Sequence, residues 1–348
     1  MKIAVINNLY KPYERGGAEK ATELMIKNLI KDNHEVVLIT TKPRGEITPI
    51  ETELKSYYLS SSFYNLNKLS FLTRYVWHFF NILNYCQKRR IKKILQEEKP
   101  NLVITHNLMG LGFQIPKAIK ELNIEHHHFL HDIQLLHPSG LMYYGKEKAL
   151  KSIFAKTYQR INRKLFSQVD KVISPSQWLL TEHTSRNFFQ KSKQEIRPFQ
   201  WPMKDVDIEV KNNTEKTFLF VGQIEKHKGI LLLVDTFKKI SNNNIRLKIV
   251  GNGNQLKHIK RISKKDNRIE CLGRKDGLEL VKIMKRSNCL IVPSLCYENS
   301  PTVIYQAQNL NIPVIASNIG GIPEITKDSK LLFTPNNEED LKKKIEMI

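Results

Sequence analysis

Four short stretches combine residue types that suit chemistry on a phosphorylated ligand. In "YENSPTVIYQA", Glu298 follows the apolar run "CLIVPS" and precedes a helix-patterned stretch containing Val303 and Ala307. A carboxylate there accepts hydrogen bonds from sugar hydroxyls. The N–H groups of a helix start, around Ser300, Pro301 and Thr302, suit a phosphate or a ribose. Gln306 follows further along the same helix. In "VGQIEKHKGI" a strand ends at Gly222, and Lys228 stands just before Gly229 and an apolar helix. A lysine there either reaches a phosphate leaving group or is simply solvated at a helix start. In "ERGGAEKATELM", Gly16 and Gly17 follow a strand and precede a helix. Paired glycines let a diphosphate approach the backbone beside the positive end of a helix, although an ordinary tight turn reads the same way. The stretch is not the dinucleotide fingerprint with three glycines.

The fourth stretch is "HHHFLHDIQLLHPSG". Alternation along a strand points His126 and His128 one way and His127 the other, which suits a single metal ion badly. His131 and Asp132 stand at the strand's end. An imidazole oriented by a neighbour there either contacts a ligand such as a sugar or is a satisfied, buried histidine.

These stretches need elements to hold them. Short β-branched runs such as "KIAVINN", "EVVLITT", "LVITHN", "KVISPS", "TFLFVGQ", "RLKIVGN", "RIECLG", "CLIVPS", "PVIAS" and "LLFTP" alternate with helix-like stretches. Between Ala18 and Lys31 the apolar residues Ala21, Leu24, Met25 and Leu29 fall on one helical face. Apolar strands alternating with helices read as parallel α/β sheets covered on both faces. The pattern breaks once, at "PFQWPMKDVDIEVKNNTEKT", where prolines and a polar run precede a fresh strand. A domain boundary near residue 204 follows, with Rossmann-like domains at 1–203 and 204–348. Ligands of such domains bind outside the carboxyl ends of the strands.

The chain of 348 residues suits two domains, and 41% apolar residues give each a core. "MKIAVINN" reads as a buried strand rather than a signal peptide, and no stretch reaches 18 uncharged apolar residues. The four cysteines (Cys86, Cys271, Cys289, Cys296) lack metal-ligand spacing and read as buried cytosolic thiols. Lys plus Arg outnumber Asp plus Glu by 56 to 34, a net charge of +22, with +14 carried by residues 1–200. Such a field attracts nucleic acid, anionic lipid or phosphorylated sugars. No helix-turn-helix, zinc or aromatic-strand signature supports nucleic acid. Between Phe71 and Lys99 an aromatic first half precedes Arg89, Arg90, Lys92 and Lys93. This reads either as a helix resting on an anionic membrane or as a core helix with a solvated basic end.

Taken in order, "GGAE", the "HD" of the fourth stretch, "VGQIEKHKG", "IVGNGNQ", "ENSPTVIYQA" and "NIPVIASNIGGIPE" resemble the large retaining glycosyltransferase family numbered four (glycosyl transferases group 1). The resemblance covers essentially the whole chain. It implies a GT-B fold, with two Rossmann-like, doubly wound parallel-sheet domains facing a cleft. The first domain would be the acceptor side and the second the nucleotide-sugar donor side. It implies that His131 and Glu298 are catalytic, Glu298 holding the donor sugar's hydroxyls. Gly16, Gly17, Gln223, Lys228, Gly251, Ser300, Pro301, Thr302 and Gln306 would bind the donor. It implies no metal and no cofactor, since basic residues and helix dipoles stabilise the departing nucleoside diphosphate. The donor would be a UDP- or GDP-sugar. The acceptor would be a lipid-linked or surface glycan, at the cytoplasmic face of a membrane.

Three features depart from the family pattern. Gln223 stands where many relatives have arginine. Gln306 stands where the family has its second acid, which leaves donor binding weaker by about 1–2 kcal/mol. The sequence stops at "EEDLKKKIEMI", where relatives continue through further helices. These departures motivate the alternative expectation of a non-catalytic relative that binds nucleotide sugar or glycan.

Overall fold

The computed structural model describes residues 1–48, 54–199, 201 and 215–348. The chain divides into two units. One comprises Met1–Leu141 and Lys148–Pro198, the other Met142–Glu147 and Phe199–Ile348. The boundary expected near residue 204 lies outside the described residues.

The first unit holds β1 (Lys2–Ile6), α1 (Gly17–Lys31), β2 (Glu35–Pro43), β3 (Lys55–Ser61), α2 (Phe71–Ile82), α3 (Tyr85–Glu98), β4 (Leu102–Thr105), α4 (Ile115–Glu121), β5 (Glu125–Phe129), α5 (Ile153–Leu165), β6 (Lys171–Ser174), α6 (Gln177–Thr184) and β7 (Lys193–Ile196). Its seven strands are all parallel, in the order β3-β2-β1-β4-β5-β6-β7. Strands β1 and β4 at the centre are almost wholly apolar because helices cover both sheet faces: Ile3, Ala4, Val5 and Ile6 are all buried. The order reverses between β1 and β4, which opens a crevice at their carboxyl ends.

The second unit holds β8 (Lys216–Val221), α7 (Ile230–Lys238), β9 (Ile245–Val250), α8 (Leu256–Ser263), β10 (Ile269–Gly273), α9 (Gly277–Lys285), β11 (Cys289–Val292), α10 (Thr302–Asn309), β12 (Val314–Ser317), α11 (Ile322–Ile325), β13 (Leu332–Phe333) and α12 (Glu338–Glu346). Its six parallel strands run β10-β9-β8-β11-β12-β13, with the reversal between β8 and β11. The period of two sorts the core. Phe218 and Phe220 of β8 pack with Leu233, Phe237, Leu247 and Leu341 on one face. Leu219 packs with Val250, Leu290, Ile304 and Ala307 on the other. Each such side chain contributes about 1.5–3 kcal/mol on burial.

Asparagine rather than glycine ends several helices. Asn33, Asn123 and Asn311 take φ of 60°, 54° and 56° just beyond α1, α4 and α10. Each is followed by an N–H that reaches five residues back: His34 to Leu29, Ile124 to Ile119 and Ile312 to Ala307. This is the Schellman arrangement, with asparagine accepting the left-handed position. It turns the chain into β2, β5 and β12 within a few residues.

Four sequence expectations need correction. Both edge strands of the first sheet, β3 and β7, are absent from the sequence reading, because "KQEI" and "KSYYLSS" carry no apolar run. The stripe of α1 that faces the core is Ala21, Thr22 and Ile26, with Met25 and Leu29 packed beside it, while Leu24 is only half-buried. The stretch from Phe71 to Lys99 is two helices. The chain breaks at Leu83–Asn84, where the Asn84 side chain accepts the Gln87 N–H at 3.2 Å and caps α3. Of the four thiols only Cys289 and Cys296 are buried, and Cys86 is exposed.

Candidate functional site

Lys228 and Glu298 meet in the second unit. Lys228 ends a short turn after β8, and Glu298 lies in the loop between β11 and α10, so the reversal of strand order brings them together. Lys228 Nζ donates to Glu298 Oε1 at 2.6 Å, and the side chains are 28% and 14% exposed. Ser294 Oγ donates to the same oxygen at 2.9 Å, and Cys296 Sγ lies 3.8 Å from it. All of these contacts fall on Oε1; Oε2 accepts no hydrogen bond among the described residues. Burial alone would push the Glu298 carboxyl up, but the Lys228 charge and the hydrogen bonds outweigh it and hold it below its ordinary value. Burial alone would likewise push Lys228 down, and Glu298 outweighs it, so the ammonium is held above its ordinary value. Both groups are charged at neutral pH.

Glycines let the loops approach closely. Gly229 sits at φ 72°, and a Cβ there would lie 1.7 Å from the Pro293 carbonyl oxygen. A Cβ on Gly251 would lie 1.8 Å from the Gly222 carbonyl oxygen. Gly251 N–H in turn donates to Gly273 at 2.9 Å, so the loops after β8, β9 and β10 form one ridge. Glu225 ties that ridge further by accepting the Asn254 N–H at 2.7 Å. The Gln223 side chain is exposed on it.

Pro301 precedes α10, where its fixed φ of −60° suits the entry, and Thr302 begins the helix. Ser300 Oγ pairs with Tyr305 OH at 2.7 Å. The first N–H groups of any α-helix lack intrahelical partners, so this helix start can receive an anion. Gln306 stands four residues into α10, half-buried, its side chain without a hydrogen-bond partner among the described residues.

A strap flanks the loop that carries Glu298. Residues Met142–Glu147 belong to the second unit although they interrupt the first in sequence. Tyr143 forms an antiparallel bridge with Cys296. Tyr144 N–H donates to Leu295 O at 3.0 Å, Tyr297 N–H to Met142 O at 2.8 Å, and Tyr297 OH to Glu147 Oε1 at 2.9 Å. From the other side Gly321 N–H donates to Glu298 O at 2.8 Å. The loop carrying Glu298 is therefore held on both flanks. No local pattern in "LMYYGKE" announces this role.

The first unit holds its own polar cluster past the carboxyl ends of β1, β4 and β5. His106 Nδ1 lies 2.7 Å from His131 Nε2. Asp132 accepts the Gln134 N–H at 2.7 Å and Asn107 Nδ2 at 3.4 Å. Burial pushes the Asp132 carboxyl up to about 6 and the His131 imidazole down to about 3. His126 and His128 are both buried and reach the same Thr105 hydroxyl, at 2.7 and 2.8 Å. Among the described residues no group of three or more His, Cys, Asp or Glu side chains is placed to hold a metal ion. Gly16 caps α1 with φ −160°, and Gly17 begins the helix. The Gly16 N–H is already taken by the Glu19 carboxylate at 2.8 Å, whose pKa is raised by burial. The sequence signal for His106 was present: it directly follows a strand, in "LVITHN", as His131 lies two residues past the next one.

A family model for Glycosyltransferase Family 4 matches residues 15–198, more than half of the chain. The chain belongs to Glycosyltransferase Family 4. A second model, glycosyl transferases group 1, matches residues 204–348. An uncharacterized 42.6 kDa protein of the cps region of Klebsiella pneumoniae is 25% identical over 336 residues, covering 94% of this chain and 88% of its own. An uncharacterized glycosyltransferase of Methanocaldococcus jannaschii is 38% identical over 131 residues, 36% of each chain. Among solved structures, an Anabaena protein in complex with UDP-glucose aligns with a TM-score of 0.71 at 18% identity, covering 100% of this chain and 89% of its own. A lipopolysaccharide outer core galactosyltransferase aligns with a TM-score of 0.67 at 18% identity, over 99% of this chain and 89% of its own. The two parallel-sheet units have the fold of GT-B glycosyltransferases.

Proposed function

We propose that the chain is a metal-independent, retaining glycosyltransferase that moves a sugar from a UDP- or GDP-sugar to a lipid-linked or surface glycan. One observation carries this reading. Lys228, Ser294 and Cys296 all engage one oxygen of Glu298, which leaves Oε2 for a sugar's hydroxyls. Lys228 has three donors, so its ammonium can keep Glu298 and also neutralise a diphosphate. In the step itself the bond from the anomeric carbon to the phosphate oxygen breaks. A bond to the acceptor oxygen forms on the same face, and the acceptor's proton passes to the departing phosphate. The transition state is oxocarbenium-like, and fixed charges aimed at the leaving group stabilise it. The family resemblance assigns His131 to the sugar near the reacting carbon, and Gly16, Gly17, Gln223, Gly251, Ser300, Pro301, Thr302 and Gln306 to the donor. The protein of the Klebsiella cps region and the outer core galactosyltransferase support an envelope glycan as the product.

The exposed face of α2 supports an acceptor held at a membrane. Val76, Phe79 and Phe80, spaced three and four residues apart, are 55%, 55% and 65% exposed. Arg89 and Arg90 on α3 make no ion pair among the described residues. Exposed apolar side chains followed in the sequence by cations without ion-pair partners suit an anionic lipid surface on the cytoplasmic side. Among the described residues no helix is long and apolar enough to cross a membrane.

The test is a donor screen in chelator. Nucleoside diphosphate release is followed from uridine and guanosine diphosphate sugars, with a membrane extract as acceptor source and Glu298→Ala as control. Release from one donor, lost in the variant, supports the reading. Binding of a nucleotide with no release, even with extract, favours a non-catalytic nucleotide-sugar binder instead. Neither binding nor release ends the nucleotide-sugar reading.

A further inference from the structure

We infer that His106 is a positioning residue that fixes the tautomer of His131, so that His131 acts as a hydrogen-bond donor from Nδ1. The first residue past β4 is His106, and the second past β5 is His131; the two strands are neighbours in register, Thr105 opposite His128. The two rings lie 5.0 Å apart, and Phe129 stacks on His106 at 5.4 Å. At 2.7 Å, one of the facing nitrogens carries a hydrogen and the other does not.

Thr22 decides which. Its hydroxyl donates to Ala18 O at 2.9 Å, so its single proton is committed. Its oxygen lies 3.5 Å from His106 Nδ1 and can only accept there. A hydrogen on His106 Nδ1 thus serves two acceptors, His131 Nε2 and Thr22 Oγ1. The opposite arrangement would move the hydrogen to His106 Nε2. That atom is buried, His106 being 1% exposed, and has no partner. A buried N–H without an acceptor is the costlier choice. His131 is then bare at Nε2 and protonated at Nδ1. Both rings are neutral, because burial holds His131 at about 3 and His106 well below its ordinary value.

The functional consequence rests on the transfer reading: His131 offers a sugar oxygen an N–H, and its Nε2 is consumed by His106. The assignment of hydrogens does not rest on it. Long-range proton–nitrogen spectra of the full chain labelled with 15N-histidine test the assignment directly, with His131→Asn and His106→Asn identifying the signals. The expected pattern is His131 protonated at Nδ1 and bare at Nε2, and His106 protonated at Nδ1, unchanged from about pH 5.5 to 8.5. A His131 protonated at Nε2, or charged in that range, overturns the inference.

Two variants give the kinetic test. His106→Asn keeps an N–H near the Nδ1 position, and His106→Phe removes it. The expected result is that His106→Phe mixes the His131 tautomers and lowers kcat about tenfold. His106→Asn should restore kcat to within about threefold, and nucleotide affinity should be the same in both. A kcat unchanged in His106→Phe overturns the positioning role. If that variant does not fold, the wild-type spectrum decides alone. The expected spectrum in a chain that never turns over would sink the transfer reading and leave the histidine pair standing.

Discussion

Lys228 Nζ lies 2.6 Å from Glu298 Oε1, although the two residues are 70 positions apart. Removing one partner leaves a largely buried charge unpaired. Lys228→Met is expected to lower stability by about 1–3 kcal/mol in urea unfolding, and Glu298→Gln to lower product release at least about 100-fold. Glu298 has a depressed folded pKa, so its contribution is full above the ordinary 4.5 and is lost as pH falls through the lower folded value. The Lys228 pKa is raised, so its contribution is full below 10.5 and is lost as pH rises through the higher folded value. Unfolding followed against pH should therefore show the pair's contribution constant across neutrality.

Asp132 behaves oppositely. Its folded pKa of about 6 lies above the ordinary 3.8, so the folded state holds the proton more tightly. Stability should fall by about 2 kcal/mol as pH rises from roughly 4 to 6, then level off. In Asp132→Asn that slope should vanish. A slope that persists would place its source elsewhere.

Gly229 and Gly273 share a φ of 72°, yet a Cβ meets the Pro293 carbonyl only at Gly229 and nothing within 4 Å at Gly273. Gly273→Ala should cost about 1 kcal/mol, the ordinary cost of a left-handed alanine. Gly229→Ala should cost about 3 kcal/mol or more, because backbone must move, and should also weaken nucleotide binding by displacing Lys228. Equal melting shifts in the two variants would refute the close approach.

Gln306→Glu tests the departure in the donor site. A carboxylate accepting from ribose hydroxyls gains the charge-assisted part of the bond, so calorimetric titration should show affinity for the preferred nucleoside diphosphate up by about tenfold. No change would mean that Gln306 does not face the ribose.

Vesicle sedimentation tests the α2 surface. Binding to vesicles rich in phosphatidylserine should fall at least about 100-fold in a Phe79→Ser, Phe80→Ser double variant. Arg89→Glu with Arg90→Glu should remove the preference for anionic over neutral lipid. Wild-type chain that ignores both vesicle types would leave the membrane reading without support.

What the sequence determined is local. Apolar runs marked most of the central strands, because a parallel strand covered on both faces is mostly apolar; β5 is the exception, its buried His126 and His128 sharing the Thr105 hydroxyl. Residues such as Lys228, Glu298 and His131 stood out because they lie in the loops that follow strands, where the fold places its ligands. The edge strands β3 and β7 escaped, since a strand covered less completely needs no apolar run. Tertiary structure decided the rest. That Lys228 and Glu298 form a pair depends on β8 and β11 being neighbours, which no local pattern encodes. The strap at Met142–Glu147 is held mainly by backbone hydrogen bonds, and every residue type has that backbone. The Gly16 N–H, available by its position in the sequence, is taken by Glu19. The hydrogen on His106 is set by Thr22, His131 and a buried nitrogen, three conditions that exist only once distant segments have packed.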